Sequence, residues 1–296
     1  MSYNPTNPYD IDPHIAEVYD SSQTYRDDVD LLLSLINFGD LGVCGSGATA
    51  CTQIARYSIL EPFCGTGRIL IPLAQAGHAL VGLDQAEGML ARARQKLAGL
   101  PVEVQNRVSL YRADVVTEEW RAGFDLVVLG GNCLYELATG DEQEHVIQSA
   151  AASLEPGGYV YVDNDHMEGD LALSWQQPGA SKSFPGGDCA DGTRVESTIE
   201  TIWFDAPARL AKFRRTTRIF LPESECTEAR SSASAKVVEV EYIQQKHPVS
   251  AVEVKTWLER YGFTIEKAFG DWEGRPYTPE SDRAIFWARK SSGEKV

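Results

Sequence analysis

The sequence predicts an α/β fold: a mostly parallel sheet covered by helices, a helical cap ahead of it, and an antiparallel sheet inserted late in the chain. Three observations carry this reading. Residues 57–84 alternate a short apolar run, a glycine turn, a segment with helical spacing and a second apolar run. Phe124 to Leu129, FDLVVL, is apolar almost throughout, as a central parallel strand buried on both faces should be. Between Thr193 and Gln245, three runs alternate polar and apolar residues with period two.

In chain order, residues 1 to about 12 are polar and proline-rich, and the expectation is a disordered or loosely docked segment without the features of a signal peptide. His14–Asp20 and Tyr25–Ile36 have helical spacing. In the second, Val29, Leu32, Leu33 and Ile36 share one face, while Arg26, Asp27, Asp28 and Asp30 lie largely on the other. These helices form the expected cap, with Tyr19 and Tyr25 flanking its turn, either as packing aromatics or folded over a ligand. Residues 37–55 are rich in small residues and read as a flexible connection.

The first apolar run, from Tyr57, ends in Glu61. The turn Cys64-Gly65-Thr66-Gly67 then opens a helical segment with Ile69, Leu70, Leu73 and Ala76 on one face, closed by Gly77. The second run, Ala79–Leu83, ends in Asp84. A strand–turn–helix–strand unit sets two parallel strands side by side with their carboxyl ends at one edge. Its glycines let the backbone approach a ligand, and an acid at the second strand tip is placed to accept two hydrogen bonds from a ribose diol. The unit reads as a nucleoside-binding half-fold. A dinucleotide turn would carry a third glycine, where this chain has Leu70. An acid four residues before the first glycine suits a cationic group better than a pyrophosphate.

Gln85–Leu97 reads as a helix with Met89 and Leu90 buried and Arg92, Arg94 and Lys96 exposed; Val108–Tyr111 is a third strand. Asp114 follows its tip, either as a further ligand-facing acid toward an adenine amino group or as a turn cap. The fourth strand, Phe124–Leu129, ends in paired glycines, Gly130 and Gly131, which imply close backbone approach. Gln143–Leu154 is a helix, Tyr159–Asp163 a fifth strand, and its tip carries Asn164, Asp165, His166 and Met167. Leu171–Asp191 reads as a loop. After the inserted strands come the helix Ala251–Tyr261, with Gly262 as its C-cap, and a closing strand pair, Phe263–Phe269 and Ala284–Arg289.

The net charge of −16 disfavours phosphate backbones, so nucleic acid is not an expected partner, and it suits a small amine. Acidity also serves solubility, so charge excludes more than it selects. No apolar run approaches the roughly 20 residues of a membrane span. Cysteines 44, 51, 64, 133, 189 and 226 show no metal-like spacing, and reduced thiols in a cytoplasmic protein are expected. His14, His78, His145 and His247 read as structural.

The register of Glu61, the glycine turn and Asp84 resembles motif I of class I S-adenosylmethionine-dependent methyltransferases. The segments VVLGGNCLYEL, DEQEHV and ASLEPGGYVYVDND are similar to those of glycine N-methyltransferase and related small-molecule N-methyltransferases. The closing stretch YGFTIEKAFGDWEGRPYTPESDRAIFWARK is similar to the end of many bacterial small-molecule methyltransferases. The resemblance covers residues 14–290. It implies a Rossmann-like, seven-stranded, mostly parallel sheet with an antiparallel last strand, divided as cap and connection (1–55), cofactor-binding core (56–170), inserted sheet or lid (171–248) and closing helix and strands (249–296).

The resemblance also implies S-adenosylmethionine as cofactor and no metal. The cofactor residues would be Tyr19, Tyr25, Glu61, Cys64, Gly65, Thr66, Gly67, Asp84, Gln85, Met89, Ala113, Asp114, Val115, Leu129 and Gly130. Asn132, Tyr135, Asp165 and His166 would face the acceptor, with His166 as candidate base and Tyr135 and Asp165 as alternatives. The glycine enzyme has an arginine where Asp165 stands. An aspartate repels a carboxylate by up to about 4 kcal/mol at close range, so a neutral or cationic acceptor is expected. The expected reaction is methylation of a small-molecule amine, with O-methylation as the alternative. A nicotinamide-dependent oxidoreductase and a non-catalytic nucleoside-binding protein are the readings from other classes. A homo-oligomer stays open.

Overall fold

The computed structural model describes residues 7–37, 56–168, 171–222 and 237–292. The expected connection after residue 37, residues 1–6, and Cys44, Cys51 and Cys226 lie outside the described residues. Cys64, Cys133 and Cys189 are buried free thiols.

The sheet is built from β1 (Ser58–Pro62), β2 (Ala79–Asp84), β3 (Val108–Arg112), β4 (Phe124–Leu129), β5 (Leu154–Asp165), β10 (Phe263–Phe269) and β11 (Arg283–Lys290), in the order β10-β11-β5-β4-β1-β2-β3. The β1–β2, β2–β3, β1–β4 and β4–β5 pairs are parallel, and β11 runs antiparallel to both β5 and β10. Strand order reverses between β1 and β4, and the crevice beyond that point, at the carboxyl ends, is where such sheets take ligands.

Each sheet face has its own core. On one, Leu129, Val146, Val162, Val254, Leu258 and Phe286 pack α7 (Gly140–Ser153) and α9 (Ala251–Arg260) onto the strands. On the other, Leu32, Ile59, Leu70, Leu80, Leu90 and Trp287 bring in α3 (Asp27–Asn37), α4 (Leu70–Gln75) and α5 (Glu87–Ala98). Complete burial of a leucine-sized side chain contributes about 1.5–3 kcal/mol. Helix α9 starts in a reciprocal capping box, Ser250 with Glu253.

A second sheet of four antiparallel strands, β6 (Ser181–Asp188), β7 (Arg194–Asp205), β8 (Leu210–Phe220) and β9 (Val237–Lys246), is ordered β6-β7-β8-β9. Its apolar residues Val195, Ile219 and Val240 pack against Ile15 and Val18 of cap helix α2 (Pro13–Ser22).

Several expectations are corrected. The stretch 171–191 is not simply a loop: it holds the short helix α8 (Leu173–Gln176) and β6. Pro185, Gly186 and Gly187 hide that strand in the sequence, and they are tolerated because β6 is an edge with a bulge between Phe184 and Gly187. Residues 8–11 form a helical turn, α1 (Pro8–Ile11), capped by Asn7 and docked on α5. Asp28 is buried rather than solvent-facing. Arg92 and Lys96 are half-buried because both pair with Asp20 of α2. Among the described residues no helix is long and apolar enough to cross a membrane.

Candidate active site

β1 carries Glu61 to the crevice. The side chain is 4% exposed and its Oε2 has no hydrogen-bond partner among the described residues. Burial drives its carboxyl well above the ordinary range; Arg68 and a backbone hydrogen bond from Leu70 oppose that, and Asp28 and Asp84 add to it. A buried acid left this way is matched by a ligand cation. The following turn needs left-handed backbone at Gly65 and Gly67, with φ of 52° and 77°. A Cβ at Gly65 would meet nothing within 4 Å, so the turn opens onto free space.

β2 carries Asp84. Its Oδ2 accepts from the Gly65 amide at 2.9 Å and its Oδ1 from the Ala86 amide at 2.8 Å. Burial raises its pKa to about 6 against the pull of those two amides. A carboxylate has about four acceptor positions, so two remain for a diol. Past β3, Asp114 Oδ1 caps its own turn through the Val116 amide at 3.0 Å while lining the same crevice. The turn-capping role weighed for it in the sequence is thus seen. At the end of β4, a Cβ on Gly130 would stand 2.7 Å from Ile69 Cδ1, so any larger residue there would push the tip of the Ile69 side chain aside.

These groups line one cavity of about 590 Å³. Tyr19, Tyr25, Glu61, Cys64, Gly65, Thr66, Asp84, Gln85, Met89, Asp114, Val115 and Gly130 all reach it. Gly67, Ala113 and Leu129, expected among the cofactor residues, do not line it. Tyr19 packs edge-on against Tyr9, and Tyr25 lies stacked between Arg68 and Trp272.

The cavity continues under the inserted sheet, where Glu136, Phe184, Ile199, Phe213, Arg215, Tyr242, Gln244 and Lys246 line it. Glu136 Oε1 accepts from Lys246 Nζ at 2.9 Å and Oε2 from Gln244 Nε2 at 2.9 Å. Its side chain is 54% accessible, but into the cavity. Burial pushes the carboxyl up; Lys246, Gln244 and Arg215 outweigh it and hold the pKa below the ordinary range.

Asn132, Tyr135, Asp165 and His166 are placed differently. None lines this cavity. The ring of His166 packs edge-on against Tyr277, with Nε2 3.4 Å from Glu168. Asp165 accepts from Arg283 at 2.5 Å and from Asn132 at 3.1 Å. Its charge is therefore matched by an arginine, and the repulsion argued from it does not bear on the cavity. Tyr135 lies under the Lys246 ammonium, 4.2 Å from ring centroid to nitrogen.

The cavity residues that the sequence reading misses have signals. On β8 the inward row is Ala211, Phe213, Arg215, Thr217 and Ile219, all buried. A charged residue at a core position of a period-two strand marks a site. Lys246 breaks the inward row of β9 in the same way. Tyr9 follows Asn7-Pro8, a capped helix start with proline at its first position. Among the described residues there is no cluster of His, Cys, Asp and Glu that could hold a metal.

Two acids and a glycine turn at the switch point of this sheet are what a nucleoside-binding methyltransferase domain carries there. Residues 59–158 match the family model described as a methyltransferase domain. The orphaned acid at Glu61, the free space at Gly65 and the spare acceptors of Asp84 fit S-adenosylmethionine.

The particular relatives are more distant. The chain is 31% identical over 109 residues to a ubiquinone biosynthesis O-methyltransferase of Hydrogenovibrio crunogenus, covering 37% of this chain and 43% of that protein. It is 28% identical over 140 residues to glycine N-methyltransferase of Mus musculus, covering 43% and 46%. The matched region thus spans less than half the length of either relative. Among solved structures, an S-adenosylmethionine-dependent methyltransferase from Clostridium acetobutylicum superposes with a TM-score of 0.64 at 14% identity, covering 96% of this chain and 100% of that one. The sugar N-methyltransferase KedS8 from Streptoalloteichus gives 0.62 at 16%, covering 98% and 99%. At these identities the likeness is one of fold.

Proposed function

We propose that this protein transfers a methyl group from S-adenosylmethionine to an amine nitrogen of a small molecule held under the inserted sheet. One observation carries the reading: a single cavity joins the acids of the cofactor turn to Glu136, an ionised carboxylate on the acceptor side. The relatives include both O- and N-methyltransferases, so the choice of nitrogen rests on Glu136.

In this reading Glu61 holds the ammonium and Asp84 the ribose diol, with the Gly65–Gly67 turn against the methionine moiety. When bound, the cofactor supplies a methyl on a sulfonium, open to in-line displacement. Glu136 accepts a hydrogen bond from the acceptor N–H and orients its lone pair. Its depressed pKa suits it to hold an ammonium, not to keep the proton, so the amine reacts as its free base. Tyr135 is a positioning residue, through Lys246. Tyr9, Tyr19, Phe184, Ile199 and Phe213 exclude water. Alignment of donor and nucleophile at about 3–3.5 Å supplies roughly 7–11 kcal/mol of the barrier.

The test is calorimetric titration with S-adenosylhomocysteine, then labelled methyl transfer to a panel of amines, amino acids, alcohols and phenols. Cofactor binding with transfer to amines alone is expected. Transfer confined to hydroxyls would overturn the choice of nitrogen.

A further inference from the structure

Three cations line the cavity, and two of them have a carboxylate: Arg68 pairs with Asp28 and Lys246 with Glu136. Arg215 makes no ion pair with the described residues. It is 9% exposed; Nη1 donates to the Tyr9 hydroxyl at 3.0 Å, and Nε is buried without a partner. Its guanidinium carbon lies 4.0 Å from the ring centroid of Phe184 and 5.2 Å from that of Tyr9.

Taking a guanidinium out of water with no carboxylate in contact is unfavourable by several kcal/mol; the charge of Glu136, in contact with Lys246 and Gln244, and two aromatic faces return only part of that. The rest of its strand row needs no such group, being Ala211, Phe213, Thr217 and Ile219. The ring contacts and the Tyr9 bond hold the plane of the fork in place. Arginine donates through pairs of N–H groups in a geometry that matches carboxylate and phosphate oxygens. Tyr242, the cross-strand partner of Arg215 on β9, lines the same cavity and offers a further hydroxyl.

We propose that Arg215 anchors an anionic group, carboxylate or phosphate ester, carried by the methyl acceptor. This rests on the reading that the acceptor occupies the cavity, and it adds the acceptor's chemistry: an amine end at Glu136 and an anionic end at Arg215. It replaces the neutral or cationic acceptor expected from Asp165, whose charge Arg283 matches outside the cavity.

The direct test follows the Arg215 Nε–H resonance in ¹⁵N-labelled full-length protein, assigned by its loss in Arg215→Lys. Sodium acetate and inorganic phosphate are titrated separately, with sodium chloride as control for ionic strength. A saturable shift with acetate alone assigns a carboxylate, and one with phosphate alone a phosphate ester. This readout needs no methyl transfer, so it stands even where the amine reading fails. In parallel, each amine that is methylated is compared with its counterpart bearing the anionic group. The wild type should favour the charged partner roughly tenfold or more in kcat/KM, the range of one charge-assisted hydrogen bond. Arg215→Met and Arg215→Lys should both lose most of that preference, with S-adenosylhomocysteine titration confirming that each variant is folded. A resonance unmoved by either anion, with substrate preference unchanged in both variants, would make Arg215 a packing residue and overturn the proposal.

Discussion

Asp28, on cap helix α3, and Arg68, directly after the glycine turn, close a two-point ion pair. Arg68 Nη1 donates to Oδ1 at 2.8 Å and Nη2 to Oδ2 at 2.6 Å, with the Asp28 side chain only 1% exposed. The same guanidinium lies 4.2 Å from the centroid of Tyr25, which stacks on Trp272 at 5.2 Å; Arg283 covers the far side of Trp272 at 4.4 Å. A column of cation, ring, ring and cation thus ties the cap to both the cofactor turn and β11. Removing one partner of such a pair leaves a buried charge uncompensated, at about 3–5 kcal/mol. Asp28→Ala should lower Tm by on the order of 10 °C. Adding Arg68→Met should restore part of the loss. A double variant as unstable as the sum of the two single ones would mean that the pair is not what fastens the cap.

Cofactor binding should release protons. Glu61 and Asp84 both have raised pKa values in the protein without ligand, Asp84 at about 6, with burial the first cause in each. An ammonium beside Glu61 and a diol on Asp84 favour the ionised forms, so binding pulls both values down. Affinity for S-adenosylhomocysteine therefore falls as pH drops through about 6 and levels off once both acids ionise unaided. Calorimetry in two buffers of different ionisation enthalpy reads the proton count directly; proton uptake would contradict the assignment. Asp84→Asn should abolish its share of the release and weaken binding roughly 100-fold, the range for two charge-assisted hydrogen bonds.

Gly88, in the first turn of α5, gives a prediction whose sign is informative. Glycine-to-alanine inside a helix normally stabilises by about 1 kcal/mol. Here a Cβ would stand 1.8 Å from the carbonyl oxygen of Tyr9, and the Gly88 amide donates to Asp10 at 2.9 Å. Gly88→Ala should therefore lower Tm and expose residues 8–11 to limited proteolysis. A more stable variant would show that α1 does not dock on α5.

The central parallel strands were legible because they are buried on both faces and read as unbroken apolar runs; Phe124–Leu129 coincides with its element. The cofactor turn was legible because glycine at a left-handed backbone and an acid at a strand tip are local features. The half of the cavity under the inserted sheet was not, since it is assembled from three distant pieces: Tyr9 from the N-terminal turn, Glu136 from the turn after β4, and Arg215 and Lys246 from inserted strands. Which inserted strand faces which tip is a matter of tertiary docking, and sequence spacing carries no record of it. Asp28 shows the same limit. Beside Asp27 and Asp30 it reads as part of a solvated acidic face, and only the approach of Arg68 accounts for its burial.

Glu136 and Lys246 offer the sharpest test of the acceptor side, because they separate charge from packing. Burial alone would raise the Glu136 carboxyl; Lys246, 2.9 Å away, holds it down with help from Gln244 and Arg215. Glu136→Gln keeps the shape, removes the charge, and should raise KM for an amine acceptor roughly tenfold or more while leaving S-adenosylhomocysteine affinity unchanged. Lys246→Met acts in the opposite sense, leaving the carboxylate in place without its cation. The pKa of Glu136 then rises, and since only the ionised form can hold the amine, the acid limb of the kcat/KM profile, read with a weakly basic amine that stays unprotonated across that range, moves to higher pH. A packing role for the pair predicts a loss of activity at every pH with the limb unmoved. The position of that limb in Lys246→Met, measured against wild type, decides whether Glu136 acts on the acceptor as a charge.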